Sequence, residues 1–459
     1  MHNRYSERRK EAEHIWRAGV AAVQPAQCIP SELAQLSHMV CGWSPSREYL
    51  IIGGGKAGSA MARAAETFLL QQGIPPDRLA GWVNVPEGSP LDVTSRVHLH
   101  PARPAGFNFP TPQAVEGTRE MLKLVDAASD QALILCLISG GGSAILCAPV
   151  PEVPLEDKLN ISQQLSRAGA SIGELNTVRK HLSQFKGGQL AARCFQKPSQ
   201  RQLLSLIISD VIGDPLDVIA SGPTAMDPTT FADALSVLDR KGLRTTVPAS
   251  VLGYLEAGAR GQHPETLKHV PASSSQWQNH LVASNTRAIQ TAATAAEKLG
   301  YQVFEYVDQK DHDTLAYAAY LADQVASLPA GQKWCLLSGG ETTVQLPPQH
   351  GKGGRNQSMT LAILIQLQGL FQHDKQRLAN LTVLCAGTDG EDGPTDAAGG
   401  FGDEALIQQA RERGLNPLAS LQSHDAYPLL DACQALFKTG LTDTNVMDLR
   451  VILLDSLQS

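Results

Sequence analysis

Five short apolar runs mark the chain, and each ends in glycines or in small polar and acidic residues. The runs lie at 50–52, 133–138, 203–208, 334–337 and 381–385. Apolar residues after the first run recur with the period of one helix face. They are Ala57, Met61, Ala64, Ala65, Phe68 and Leu69. Because strands alternate with helices, the pattern predicts a mostly parallel sheet with helices on both faces.

A second alternation of strands and helices predicts a second domain. Residues 240–279 are rich in glycine, proline and serine, and a new series of elements starts after them. Helices are expected at 285–298, 313–327 and 355–369, between strands at 280–283, 301–307, 333–337 and 381–385. A chain of 459 residues is also too long for one ordinary core. The sequence therefore predicts an N-terminal α/β domain over 1–275 and a smaller α/β domain over 276–459.

The amino-acid composition and net charge indicate which kinds of partner the protein binds. Apolar content of 42%, charged content of 18% and a net charge of −7 are typical of a soluble globular protein. Such a charge gives no sign of a nucleic-acid or membrane partner. The eight cysteines are scattered, which favours buried thiols in a reducing compartment over disulfides or zinc. With neither a signal peptide nor an apolar run of ~18 residues, the chain is predicted to be cytoplasmic.

The glycines after the first apolar run form the first candidate site. Gly53, Gly55 and Gly58 satisfy the dinucleotide pattern G-x-G-x-x-G, whereas no Gly-Lys-Ser/Thr sequence completes a phosphate loop of the Walker type. Glycines also let backbone N–H groups approach a phosphate, beside a cation such as Lys56. A tight turn with a solvated lysine is the structural alternative. All three interpretations are compatible with the residues.

Similar sets of small, polar and basic residues recur along the chain. Glycines, hydroxyl groups, amides and cations are suited to binding carboxylates and phosphates, although solvated helix starts and turns have the same composition. The candidate binding residues are Gly54, Gly55, Ser139, Gly140, Gly141, Ser143, Asn176, Arg179, Lys180, Ser338, Gly339, Gly340, Glu341 and Asn356. Arg355, between two glycines and a predicted helix, adds a further cation.

Acidic residues follow two of the strands. Asp210 comes directly after the run 203–208, and Asp389 begins an acidic loop after 381–385. Carboxylates at strand ends suit magnesium held together with phosphates, although turn and capping roles would select the same residue type. Anion loops, fixed cations and acidic strand ends together favour phosphoryl transfer, in which catalysis is mostly positioning and charge neutralisation.

Several long motifs, in order, resemble those of the glycerate 2-kinase family, whose C-terminal half is the MOFRL domain. They span 53–61, 139–144, 176–191, 209–224, 337–344, 351–357 and 386–400. The resemblance implies phosphorylation of D-glycerate at its 2-hydroxyl, with ATP and Mg²⁺ as cofactors. It also implies a Rossmann-like N-terminal domain, a second α/β domain and an active site in the cleft between them.

The resemblance also assigns roles to single residues. By motif position, Lys56 and Arg355 are the principal catalytic cations. From their strand-end placement, we expect Asp210 and Asp389 to bind the metal or to activate the acceptor hydroxyl. The expected partners are ATP and a small hydroxy acid, and the resemblance leaves room for a homodimer.

Three segments depart from the family pattern: 100–104, Ser358 and 439–448. They leave a related hydroxy acid open as the acceptor. Two other functions remain as alternatives. One is an NAD(P)H-dependent hydroxypyruvate reductase, a name that related sequences have carried. The other is a sensor that binds a phosphorylated metabolite without turnover.

Overall fold

The chain folds into two compact units. A computed structural model describes residues 2–40, 42–90, 94–104, 107, 109–196, 200–269, 273, 275–306 and 312–455. The first unit comprises residues 25–282, and the second comprises residues 1–24 together with 283–459. Helix α1 (His2–Ala22) thus belongs to the second unit, although it precedes the first in the sequence.

The first unit contains a six-stranded sheet. Its strands are β1 (Tyr49–Gly54), β2 (Leu79–Pro86), β3 (Val97–Arg103), β4 (Leu133–Ile138), β5 (Gln202–Ile208) and β6 (Trp277–Ala283). The order across the sheet is β3-β2-β1-β4-β5-β6, and the ladders that join β3 through β5 are parallel. Strands β1, β4 and β5 are buried along their whole length, as central strands of a covered parallel sheet are. The predicted mostly parallel sheet is confirmed.

Nine helices of the first unit lie within its described residues. They are α2 (Pro25–Leu36), α3 (Gly58–Gln71), α4 (Pro112–Ala127), α5 (Gly142–Ile145), α6 (Leu155–Arg167), α7 (Ile172–His181), α8 (Gln189–Cys194), α9 (Phe231–Arg240) and α10 (Ala249–Ala259). Helix α7 begins in a capping box, in which Ser171 and Glu174 each accept the other's backbone N–H. Its last turn carries Arg179 and Lys180, where the negative end of the helix dipole favours cations.

The second unit is built around a mixed sheet. Its strands are β7 (Gln302–Tyr306), β8 (His312–Asp313), β9 (Lys333–Gly340), β10 (Thr342–Thr343), β11 (Leu381–Gly387), β12 (Gly399–Asp403), β13 (Leu436–Phe437) and β14 (Asp448–Asp455). The main sheet has the order β13-β12-β11-β14-β9-β7, in which only the β7–β9 ladder is parallel. Strands β8 and β10 form a separate parallel pair.

Helix α1 and the helices that follow β6 complete the second unit. The helices after β6 are α11 (Asn285–Lys298), α12 (Thr314–Ser327), α13 (Arg355–Leu370), α14 (Lys375–Ala379), α15 (Glu404–Glu412), α16 (Pro417–Gln422) and α17 (Ala426–Ala432). The prediction of two α/β domains is confirmed. Among the described residues, no helix combines the length and apolar composition needed to cross a membrane.

Candidate active site

In the first unit, the loop after β1 is joined to the loop after β4. The backbone N–H of Lys56 donates to Gly140 O at 2.8 Å, and that of Ala57 donates to Ser139 Oγ at 3.1 Å. A Cβ atom on Gly55 would lie 2.2 Å from Ser139 Oγ. At φ +143°, Gly55 also has a backbone conformation that side chains disfavour. The glycine therefore allows the two loops to pack together.

This packing changes the interpretation of the first glycine loop. The N–H groups of residues 55–58 donate to Asn84 O, Gly140 O, Ser139 Oγ and Gly55 O. Four amides that were expected to face an anion thus have partners inside the protein. The fixed loop instead places the side chain of Lys56.

The joined loops bring three charged side chains over Gly140 and Gly141. A Cβ atom on Gly140 would lie 2.1 Å from Asp210 Oδ2. One on Gly141 would lie 3.0 Å from Arg103 Nη2 and 3.5 Å from Lys56 Cγ. Lys56 and Asp210, predicted from sequence, are thus gathered at one place. Arg103 was not predicted, because it lies in a segment that departs from the family pattern.

A second cluster of the first unit surrounds Ser143. Its carbonyl oxygen accepts hydrogen bonds from Lys186 Nζ at 2.6 Å and Arg179 Nη2 at 3.2 Å. Ser221 Oγ lies 3.1 Å from Ser143 Oγ and donates to Asn176 Oδ1 at 3.1 Å. Burial lowers the pKa of Arg179 and, more strongly, that of Lys186, which the positive charge of Arg179 lowers further.

The charges of this cluster are not balanced by carboxylates. Among the described residues, neither Arg179 nor Lys186 lies within ion-pair distance of an acidic side chain. Removing a cation from water without an opposite charge is costly, so Arg179 favours an anion and Lys186 favours its neutral amine. The half-buried guanidinium of Arg179 is the group of the two that a ligand can reach.

Lys180 differs from its neighbour Arg179. It is buried, and its Nζ lies 3.2 Å from Asp217 Oδ2 and 3.4 Å from Asp227 Oδ1. Burial acts to raise the pKa of Asp227, but Lys180 and hydrogen bonds from threonines outweigh it and lower that pKa. Lys180 is therefore part of a charge-balanced pair. Its predicted role in binding stays a prediction.

In the second unit, the guanidinium of Arg355 is held by two carboxylates. Its Nε and Nη2 donate to Asp448 at 2.8 and 2.9 Å, and its Nη1 lies 2.6 Å from Glu341 Oε1. Burial acts to lower the pKa of Arg355, but Asp448 and Glu341 raise it above its ordinary value. The two predicted residues Arg355 and Glu341 therefore lie together, with Asp448 as an additional partner.

Asp392 fixes the start of α13. Its carboxylate accepts the N–H groups of Asn356 at 3.0 Å and Gln357 at 2.8 Å. Asn356 also donates from its side chain to Asp448 Oδ1 at 2.9 Å. The backbone and side-chain N–H groups of Asn356 thus bind two carboxylates of the protein.

The last three residues of β9 likewise bond to groups inside the protein. Ser338 Oγ lies 2.8 Å from the hydroxyl of Tyr317. The N–H of Gly340 donates to Asn285 Oδ1 at 3.1 Å, and Gly339 O accepts from Arg450 Nη1 at 2.6 Å. The structure therefore shows packing contacts for these three predicted residues, whose role in binding stays a prediction.

Asp210 and Asp389 belong to different units. Asp389 is half-buried after β11, and its Oδ1 accepts the N–H of Glu391 at 3.1 Å. In the described part of the chain, no group of three or more His, Cys, Asp or Glu side chains could hold a metal ion. Magnesium bound with phosphates needs only one or two protein carboxylates, so Asp210 beside the glycine loop fits that ion.

Sequence reasoning missed several residues of these clusters. Asp448, Asp392, Arg450, Asn285, Lys186, Ser221 and Arg103 were not among the candidates. Lys186 and Ser221 lie within the family motifs 176–191 and 209–224. A long motif does not show which of its residues contact one another in the fold. Ser221 has φ +62° and Ala220 has φ +51°, a strained pair that no local pattern predicts.

The fold and the clustered cations define an α/β protein that handles anionic small molecules. Comparison with known proteins narrows this class to one family. The sequence model of Domain of unknown function (DUF4147) matches residues 11–256, and that of the MOFRL family matches residues 334–448. The D-glycerate 2-kinase of Thermotoga maritima is 33% identical, over 96% of this chain and 97% of its own. The chain belongs to the glycerate 2-kinase family.

Two further matches have bearing on function. The crystal structure of a glycerate kinase from Thermotoga maritima has a TM-score of 0.83 and 32% identity, covering 98% of this chain and all of the other. A relative from Agrobacterium vitis, 33% identical over 97% of this chain and 94% of its own, carries the name hydroxypyruvate reductase. The kinase name is thus attached to both a sequence and a fold match.

Proposed function

We propose that the protein is an ATP-dependent kinase that transfers a phosphoryl group to the 2-hydroxyl of D-glycerate, giving 2-phosphoglycerate and ADP. The observation that carries this proposal is the likeness to a D-glycerate 2-kinase over 96% of the chain. The anion-binding clusters of both units support it, because a kinase must hold a carboxylate and several phosphate oxygens. Catalysis in such enzymes is mostly positioning and charge neutralisation.

The cluster around Ser143 is suited to the acceptor's carboxylate. Arg179 is half-buried, has no carboxylate within ion-pair distance among the described residues, and presents a planar fork of donors. Lys186, 1% exposed, donates to the same carbonyl oxygen of Ser143. The acceptor's carboxylate would supply the negative charge that Arg179 lacks.

Lys56 and Arg355 are proposed as the catalytic cations. Arg355 is immobilised by its two bonds to Asp448, so its charge is fixed in place before any ligand binds. Lys56 is placed by the joined loops of the first unit. Asp210 is proposed to hold Mg²⁺ in the first unit, and the expected role of Asp389 stays a prediction. That ion would neutralise phosphate charge when bound.

The test is an ADP-release assay with D-glycerate, L-glycerate and related hydroxy acids, followed by ³¹P NMR of the product. We expect ADP and 2-phosphoglycerate with D-glycerate. Arg179→Ala should lower kcat/KM for glycerate by about 100-fold, since truncating one partner of a desolvated charge pair costs about 2–5 kcal/mol. Arg193→Ala is the matched control, because Arg193 pairs with Asp126 at the surface. No ADP release with any acceptor would refute the kinase.

The alternatives predict different outcomes of the same assay. A hydroxypyruvate reductase would oxidise NADH and release no ADP. A sensor would bind a phosphorylated metabolite without turnover. The use of the N–H groups of residues 55–58 inside the protein removes the main structural support for a dinucleotide at this loop.

We also infer a cytoplasmic location and retain the proposal of a homodimer. Cys136, Cys147, Cys194, Cys335, Cys385 and Cys433 are free and buried, and Cys28 is buried, as expected of a protein from a reducing compartment. Cell fractionation would test the location, and light scattering at several protein concentrations would test the dimer. Recovery in an oxidising compartment, or a monomer at all concentrations, would contradict these inferences.

A further inference from the structure

Three side chains of the first unit form a chain of polar contacts that ends on a buried amine. Ser143 Oγ lies 3.1 Å from Ser221 Oγ, and Lys186 Nζ lies 3.4 Å from Ser221 Oγ. Ser143 is half-buried, whereas Ser221 and Lys186 are 0% and 1% exposed. The chain therefore leads from a hydroxyl that a ligand can reach to an amine that a ligand cannot reach.

Ser221 is held rigidly in a strained conformation. Its φ is +62°, and that of Ala220 before it is +51°, in a region that residues other than glycine rarely adopt. The N–H of Gly187 donates to Ser221 O at 3.0 Å, which ties Ser221 to the residue that follows Lys186. Such strain persists only where the surroundings enforce it, and it concentrates at functional sites.

The surroundings of Lys186 favour the neutral amine. Burial lowers its pKa well below the ordinary value, and the cations Arg179 on α7 and Lys158 on α6 lower it further. Cys147, which follows α5, acts in the opposite direction and more strongly than Lys158, but burial and Arg179 outweigh it. No carboxylate among the described residues lies within ion-pair distance of Lys186. A neutral lysine amine can accept a proton.

We propose that Ser143 takes the proton of the acceptor's 2-hydroxyl and passes its own proton through Ser221 to Lys186. The acceptor O–H bond breaks as its oxygen forms the bond to phosphorus. Ser143 Oγ gains that proton and gives one to Ser221 Oγ. The Ser221 hydroxyl, which donates to Asn176 Oδ1 at 3.1 Å, turns to give its own proton to Lys186 Nζ. The amine becomes ammonium, and both serines end as hydroxyls. This inference rests on the proposed kinase activity and supplies its proton acceptor.

The same geometry accounts for the position of the hydroxyl. Arg179 Nη2 donates to the carbonyl oxygen of Ser143, so the guanidinium and the Ser143 hydroxyl are close neighbours. A carboxylate bound by Arg179 would bring the acceptor's hydroxyl close to Ser143. The cluster is therefore suited to small hydroxy acids.

Substitutions along the chain of contacts test the proposal. Ser143→Ala, Ser221→Ala and Lys186→Met should each lower kcat by about 100-fold, with KM for ATP unchanged within a few-fold. Ser221→Ala combined with Lys186→Met should cost no more than either alone, because both interrupt one path. Ser205→Ala is the matched control for the serine variants, because this buried serine donates to Thr224 Oγ1 outside the path. An equal loss in the control would show a structural effect and overturn the proposal.

The pH dependence of kcat distinguishes a role in proton transfer from a purely structural role. Since the amine must be neutral to accept a proton, kcat of the wild type should rise with pH through the pKa of Lys186. The residual kcat of Ser221→Ala, in which the path is cut, should lack this rise. The serine variants remove one oxygen each, so they keep the proposal testable if Lys186→Met fails to fold. A rise that persists in Ser221→Ala would overturn the relay.

A fluorophosphonate probe separates this proposal from the kinase itself. The Ser143 oxygen would bond to phosphorus, fluoride would leave, and the proton would pass through Ser221 to Lys186. Mass spectrometry should find Ser143 modified and Ser139, in the same loop, unmodified. The modification should be lost in Ser221→Ala. If no acceptor is phosphorylated but Ser143 is labelled, the kinase fails and the relay stands. If glycerate is phosphorylated but Ser143 is unlabelled and Ser143→Ala keeps full kcat, only the relay fails.

Discussion

Asp448 joins two arginines of the second unit through a single buried carboxylate. Besides its two bonds from Arg355, it accepts Arg450 Nη2 at 3.1 Å and Asn356 Nδ2 at 2.9 Å. Burial acts to raise its pKa, but Arg355 and Arg450 lower it, so the carboxylate remains ionised. One side chain thus orients a proposed catalytic cation and pairs with two guanidinium groups.

Replacement of this carboxylate should be costly. Asp448→Asn leaves the buried guanidinium of Arg450 without an opposite charge and removes one of the two carboxylates that hold Arg355, so we expect a loss of about 3–5 kcal/mol in the free energy of unfolding. Urea denaturation at pH 7 would measure it. Asp396→Asn is the control, because Asp396 pairs with Lys438 at the surface and its removal should change stability little. Equal stability of Asp448→Asn and the wild type would contradict the role of Asp448.

These residue contacts were only partly predictable from sequence. Lys56 and Asp210 each follow an apolar strand, and parallel strands end at one edge, so their meeting was foreseeable. The bonds of Asp448 were not, because Arg355 lies 93 residues away in sequence. From the sequence alone, Lys186 is interpreted as a solvated surface lysine, because only the fold shows that it is buried.

At the level of single elements, helix α13 shows how a glycine and a buried carboxylate position a cation. A Cβ atom on Gly354 would lie 2.2 Å from Asp392 Cγ, so only glycine lets this carboxylate reach the helix start. The carboxylate accepts two N–H groups of the first turn, where the helix dipole favours negative charge. Arg355, the first residue of the helix, is thereby fixed.

Asp392 should make stability depend on pH. Burial raises its pKa to about 6, against the opposing N–H bonds, whereas the unfolded value is near 3.8. Between pH 7 and pH 5 the folded protein takes up this proton and the unfolded chain does not, so stability should rise as pH falls. The expected gain is roughly 1 kcal/mol, measured by urea denaturation at both pH values.

Asp392→Asn should abolish this gain, because the amide does not titrate. Asp374→Asn is the control, since Asp374 caps α14 at the surface and its replacement should leave the gain intact. A gain of the same size in Asp392→Asn and the wild type would assign the effect to other groups.

The elements themselves were predicted best where the apolar pattern was strong. Helix α11 was expected at 285–298 and spans Asn285–Lys298. Strand β12 was missed, because its sequence is mostly glycine. A Cβ atom on Gly399 would lie 1.8 Å from Cys385 O, so close strand packing, and not an apolar pattern, selects that residue. Strand direction leaves no mark in such patterns, which is why the mixed character of the second sheet was not predicted.

At the scale of the whole molecule, α1 completes the core of the second unit. Ala12, Ile15, Trp16 and Val20 are buried against residues of α11, β9 and β14. The ring of Trp16 lies 5.0 Å from that of Phe437, edge to face. Arg9 adds a salt bridge of 2.7 Å to Asp403. A core shared across the sequence in this way couples the N-terminus to the stability of residues 283–459.

Trp16→Ala should therefore destabilise the second unit. Loss of a buried tryptophan costs about 3–5 kcal/mol. Hydrogen exchange followed by mass spectrometry should show faster exchange in α11, β9 and β14. Peptides from β1 and β4 should be unchanged.

Trp82→Ala is the reciprocal control, because Trp82 lies on β2 of the first unit. Its effect should be confined to residues 25–282. Faster exchange in β1 and β4 after Trp16→Ala, without change in β9, would contradict the assignment of α1 to the second unit.

The placement of α1 also has a consequence for synthesis on the ribosome. The segment 2–22 is made before residues 25–282, whereas its partners on α11, β9 and β14 are made only after them. At roughly 5–20 residues per second, this wait lasts on the order of ten seconds or more. During that time the apolar face of α1, with Trp16 at its centre, has no native partner from residues 283–459. Helix α1 is thus made early but packs late. Its apolar face must be protected from aggregation until residues 283–459 have been made.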